Sequence, residues 1–145
     1  MLAAEARDRV TLLEHTADLG LEIEAPTIDA LYEASVLGLV DVIVDSATVK
    51  PRSARVLRLA AEDRELLLVK LLQEVLYGYD TERWLPARAA VRTAPGGLSL
   101  EARLEGETFD ASRHAVKTEV KAVTYHALEV RETGDGLRAR LVLDL

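Results

Sequence analysis

The chain has 145 residues, enough for one ordinary domain with a real hydrophobic core. It contains no cysteine, which excludes disulfides, thiolate catalysis and cysteine-based zinc sites. A net charge of -7, with four tyrosines, one tryptophan and one phenylalanine, argues against tight independent nucleic-acid binding and suits docking on a basic protein.

Arg9 to Glu14 and Leu19 to Ala25 read as two strands flanking a His15–Asp18 turn. Thr27 is placed to cap a helix from Ile28 to about Val44, with Ile28, Leu31, Tyr32, Ser35, Leu39 and Ile43 along one stripe. Ser46 to Pro51 connects to a strand over Ala54 to Ala60, where Arg55 alternates with Val56 and Leu57 with Arg58. Asp63 caps a second helix that reaches about Tyr79, where Gly78, Asp80 and Thr81 stop it and Pro86 prevents its return. Ala87 to Thr93 and Leu98 to Leu104 form a hairpin around Ala94-Pro95-Gly96-Gly97. Gly106 to Thr118 is polar and irregular, and Val120 to Arg131 and Leu137 to Leu145 form the last hairpin. The order ββαβαββββ predicts one α+β domain over residues 1–145, a two-layer fold with two helices on one face of a largely antiparallel sheet of about seven strands.

No apolar run reaches the ~18 residues that cross a bilayer, and no basic start followed by an apolar stretch marks a signal peptide. With the lack of cysteine, this points to the cytoplasm and away from a membrane. There is no phosphate loop, no dinucleotide fingerprint and no nucleophile elbow. Asp18 follows His15-Thr16-Ala17 at a break between apolar runs, and Asp144 precedes Leu145 in a strand carried to the end of the sequence. If these ends meet, Asp18, Asp144 and the Leu145 carboxylate give three hard oxygen donors, a site for a divalent cation such as Ca²⁺, Mg²⁺ or Mn²⁺. His15, His114 and His126 could in principle join Asp18 in a histidine–carboxylate site, but no pair has helical His-x-x-x-His spacing, so the oxygen site is preferred. Strand parity puts Asp144 opposite the face of Leu137, Ala139, Leu141, Leu143 and Leu145. A two-residue turn at Asp135-Gly136 would pair Asp144 with Ala127 and Leu145 with His126. Lys121 would then lie about five residues, or ~17 Å, beyond Leu145.

Four segments together resemble the archease family. They are His15-Thr16-Ala17-Asp18-Leu19-Gly20, Leu66-Leu67-Leu68 with Leu72-Gln73-Glu74-Val75-Leu76-Tyr77, Thr118-Glu119-Val120-Lys121-Ala122-Val123-Thr124-Tyr125-His126, and Leu143-Asp144-Leu145. The sequence departs from the family at Lys70-Leu71, where a tryptophan is often found, and after His114, where a glycine is common. The resemblance implies a protein cofactor of an RtcB-type RNA ligase, which seals RNA ends in tRNA splicing and RNA repair. Such a ligase takes a guanylyl group from GTP onto a histidine with metal assistance, and the family promotes that step and multiple turnover without being an enzyme itself. The family metal site carries over to Asp18, Asp144 and Leu145. Lys121 carries over as a further residue for ligase activation, and His15 and His126 stand as outer supports. Two other readings are a small metal-dependent hydrolase or nucleotide-modifying enzyme using Asp18, His126 and Asp144, and a chaperone-like adaptor with no metal.

Overall fold

The structure, a computed structural model, describes residues 5–6, 9–14 and 18–145. Its strands are β1 (Val10–Glu14), β2 (Asp18–Ala25), β3 (Ser53–Ala60), β4 (Trp84–Thr93), β5 (Ser99–Thr108), β6 (Ala122–Thr133) and β7 (Gly136–Asp144). Helix α1 (Ile28–Ile43) lies between β2 and β3, and α2 (Arg64–Glu82) between β3 and β4. The fold is α+β with the predicted element order, but the seven strands of the described residues divide between two antiparallel sheets, β1-β2-β7-β6 and β3-β5-β4.

The division has a physical cause in α1. Besides the predicted stripe, Ala34, Val36, Leu37, Val40 and Val42 are buried as well. A helix apolar on nearly every side cannot be served by a sheet along one stripe. α1 therefore contacts both β2 of the first sheet and β4 of the second. Thr27 Oγ1 accepts the Ala30 N–H at 3.1 Å and starts the helix.

Asp63 Oδ1 accepts the Leu66 N–H at 2.7 Å and starts α2. The helix does not stop at Tyr79. It runs through Gly78 to Glu82 and ends on Arg83, whose φ of 56° is left-handed and whose N–H reaches the Gly78 and Tyr79 carbonyls. Gly78 costs about 1 kcal/mol of helix propensity, which buried Leu76 and Tyr79 outweigh by packing. Tyr32 Oη donates to the Arg64 carbonyl at 3.0 Å and ties the two helices together.

Both helices also close sheet edges. Asp29 Oδ1 accepts the Thr93 N–H and hydroxyl, and Glu33 Oε2 accepts the Val91 N–H, along the free side of β4. Glu65 Oε1 accepts the Val130 N–H on the free side of β6. Among the described residues, no helix is long and apolar enough to cross a membrane.

Strand β4 has an irregularity between Pro86 and Arg88 that brings its backbone onto Gly106 of β5. A Cβ on Gly106 would stand 1.9 Å from the Leu85 carbonyl oxygen. Gly106→Ala is expected to lower stability by about 3 kcal/mol or more, because the obstacle is backbone and not a flexible side chain. Urea denaturation checks this.

Candidate functional site

The β2–β7 register places Asp18 directly opposite Asp144, at the start of one strand and the end of the other. Directly opposed residues of an antiparallel pair point to the same face, with Cβ atoms about 5 Å apart. Both aspartates are half-buried. They stand on the face away from Ala139, Leu141 and Leu143, which are in the core. The sheet thus joins two carboxylates from opposite ends of the sequence.

The third strand of this row differs from the sequence expectation. The β6–β7 turn is Gly134-Asp135, with Thr133 paired to Gly136. Between Thr124 and Glu129 the register shifts, so that Tyr125 to Leu128 bulge against Leu141 alone. Ala127 makes the bend at φ 53°. Asp144 is consequently opposite Ala122 and not Ala127, and Leu145 does not meet His126. Lys121 is not ~17 Å from the chain end. Its N–H donates to the Asp144 carbonyl at 2.8 Å.

The Lys121 side chain is exposed and lines a cavity of about 380 Å³ with Tyr79, Arg83, Phe109, Val116 and Glu119. A second cavity, of about 290 Å³, lies beyond Thr118 and is lined by Leu12, Leu19, Asp41 and Lys117. Leu12 and Val116 are large apolar residues left exposed at these cavities. Sequence reasoning missed Arg83, Phe109 and Val116 because they come together only through the packing of α2 against the 109–121 segment. His126 sits in the bulge, exposed, past the Thr124–Val142 pair. His15 lies outside the described residues. Leu145 packs its side chain against the core.

The segment from Phe109 to Lys121 is irregular, as its composition suggests, but it is tightly tied. Its anchor is Glu107, whose side chain is 4% exposed. Glu107 accepts a two-pronged contact from Arg113, the Lys50 N–H at 2.7 Å and the Arg52 Nε at 3.1 Å. His114 accepts the Asp110 N–H on Nδ1 at 2.9 Å, so its proton resides on Nε2. That Nε2–H faces both Glu107 and the Thr48 carbonyl at 3.1 Å. His114 is therefore a buried tie between this segment, Glu107 and Thr48. The Lys117 N–H then donates to the Ile43 carbonyl at 2.7 Å, which leads the chain on towards Lys121.

The Arg113 hydrogen bonds hold the Glu107 carboxyl at a pKa of about 2, well below its ordinary 4.5, against the opposing effect of burial. The folded-state pKa is depressed, so the stabilisation is present above about pH 4.5 and is lost as pH falls towards 2. Wild-type protein is expected to lose stability across that window with a steeper slope than Glu107→Gln. Denaturation at stepped pH measures both slopes.

The fold and this edge define an α+β domain in which paired carboxylates end a sheet beside two small cavities. Residues 11–145 match the model of the Archease protein family (MTH1598/TM1083), and the chain belongs to that family. It is 38% identical over 135 residues to protein archease of Thermococcus gammatolerans, covering 91% of this chain and 95% of that one. Against protein archease of Methanosarcina acetivorans the identity is 35%, covering 92% and 93%. The solution structure of Methanobacterium thermoautotrophicum protein 1598 superposes with a TM-score of 0.81 at 29% identity, covering 94% of this chain and 99% of that one. The crystal structure of an archease described as a possible chaperone, from Thermotoga maritima, shares the fold with a TM-score of 0.67 at 22% identity, covering 92% and 94%.

Like charges directly opposed across two strands destabilise a sheet by about 0.2–1 kcal/mol. Asp18→Asn or Asp144→Asn is therefore expected to raise stability in chelator-treated buffer. Added divalent cation should raise the melting temperature of the wild type and not of either variant. A thermal shift series with Ca²⁺, Mg²⁺ and Mn²⁺ reads this out. Equal shifts in all three proteins would place any cation site elsewhere.

Proposed function

We propose that this protein is a non-catalytic cofactor of an RtcB-type RNA ligase, docking by the Asp18–Asp144 edge at the mouth of the ligase active site and promoting guanylylation and multiple turnover. The observation that carries the reading is the pairing of Asp18 with Asp144 at an open strand end, with Lys121 hydrogen-bonded beside it. Membership of the archease family supports the same reading.

A divalent cation fits the residues present. Two opposed aspartates are hard donors whose mutual repulsion a cation relieves, and the Leu145 carboxylate would be a third. No group of three His, Cys, Asp or Glu side chains could hold a metal among the described residues, so water would complete the shell and affinity would be low. Bound there, the ion would supply charge neutralisation for phosphoryl transfer. The chain's own part is to hold the two carboxylates in fixed register and to present Lys121, with exposed Leu12 and Val116 as apolar contacts for the partner. The hydrolase alternative gains nothing from the geometry, since His126 stands past the Thr124–Val142 pair and away from the carboxylates.

With ligase limiting and RNA in excess, added protein should turn a single round of sealing into many. Asp144→Ala and Lys121→Ala should remove the stimulation while leaving the fold intact. A chain extended beyond Leu145 should also lose it if the terminal carboxylate takes part. An unchanged ligase turnover number with the wild-type protein would end this reading.

A further inference from the structure

The outer face of the second sheet carries a charge opposite to that of the whole molecule. In register, Arg58, Glu101 and Arg92 form one cross-strand row, Val56, Arg103 and Ala90 the next, and Ala54, Glu105 and Arg88 a third. The arginines and the small side chains of these rows are exposed, while Leu100, Ala102 and Leu104, between them in β5, are buried. Glu101 is shared between Arg58 at 3.4 Å and Arg92 at 3.9 Å, and Glu105 lies 3.8 Å from Arg103. Four arginines against two glutamates leave a net +2 on this face of a chain whose total is -7. Arg58 and Arg92 are 74% and 82% exposed, and an open hollow adjoins their row.

We infer that this arginine face binds the sugar–phosphate backbone of RNA, weakly and without sequence preference. The charge calls for an anionic partner. Arginines act as protein-interface hot spots when they are desolvated among large, well-packed neighbours, and here the uncharged side chains beside them are only alanine, serine and Val56. Nucleic-acid interfaces are instead polar and positively charged, and guanidinium forks match phosphate oxygens. With no aromatic on the face there is no platform for base stacking, which leaves the backbone as the ligand. The inference deepens the ligase reading, under which RNA is the anion at hand. The Trp84–Thr108 end of the same sheet is flanked by Arg83 and Phe109, which share a cavity with Lys121. Weak binding on one face accords with the acidity of the whole.

The test uses the full chain alone with a fluorescein-labelled 20-nucleotide oligouridine, so it does not depend on ligase stimulation. Anisotropy in about 20 mM salt should show binding that weakens with salt, with a log–log slope of about -1.4 to -2.8 for two to four neutralised phosphates on a single strand. Arg58→Ala with Arg92→Ala, and Arg88→Ala with Arg103→Ala, should each weaken binding at least fivefold and flatten the slope. The matching lysine pairs should retain most of it. Asp18→Asn with Asp144→Asn should bind RNA no more weakly than wild type, even if ligase stimulation fails. Circular dichroism confirms folding of the variants. Absence of binding at low salt, or binding by both alanine pairs as tight as that of the wild type, overturns the inference. Tighter binding of polyglutamate than of oligouridine at equal charge also overturns it, making the face a dock for an acidic protein.

Discussion

The edge of this protein depends on one interruption of regular pairing. Four residues, Tyr125 to Leu128, stand against Leu141, and Ala127 turns the strand at φ 53°. Without that slack, uninterrupted pairing from the Thr133–Gly136 end would carry β6 past β7 and leave Lys121 away from the carboxylates. With it, Ala122 closes the row of Asp18 and Asp144, and the Lys121 N–H reaches the Asp144 carbonyl. A left-handed alanine is strained backbone, costing on the order of 1 kcal/mol or more. The pairing on both sides of the bulge holds it there.

The second determinant lies on the far side of the same segment. Glu107 gathers Arg52, Arg113, His114 and the Lys50 N–H, and so fixes the path of a stretch with no regular structure. The edge is therefore held from two directions, by sheet register on one side and by a buried carboxylate on the other. A lesion at either should disturb Lys121 without touching Asp18 or Asp144.

What the sequence made legible was local. Helix starts at Thr27 and Asp63 are visible because capping is a relation between neighbours. The alternation in Leu137 to Leu143 gave the correct face for Asp144, because parity survives any choice of partner. Register was not legible. The bulge turns on an alanine, which carries no turn signal, and Gly136, which looks like a turn residue, is instead the first residue of β7. The split into two sheets was half visible. Ala34, Val36, Leu37 and Val40 mark α1 as apolar on nearly every side, whereas the stripe reading used only one side. The alternation of Arg88, Ala90 and Arg92 was likewise in plain view, but its neighbours Arg58 and Arg103 arrive only through strand pairing.

Asp29, Glu33 and Glu65 are spent on the unpaired N–H groups of β4 and β6. An open strand edge invites another chain to add to it, and here the obstruction is acidic side chains reaching across from helices. The net charge of the molecule is thus a poor measure of the field a visitor meets. Part of the acidity is turned inward as insulation against polymerisation, part is concentrated at one strand end, and one sheet face is positive. Charge on this chain is thus sorted by place, with two carboxylates side by side at one strand end and four arginines against two glutamates on one sheet face.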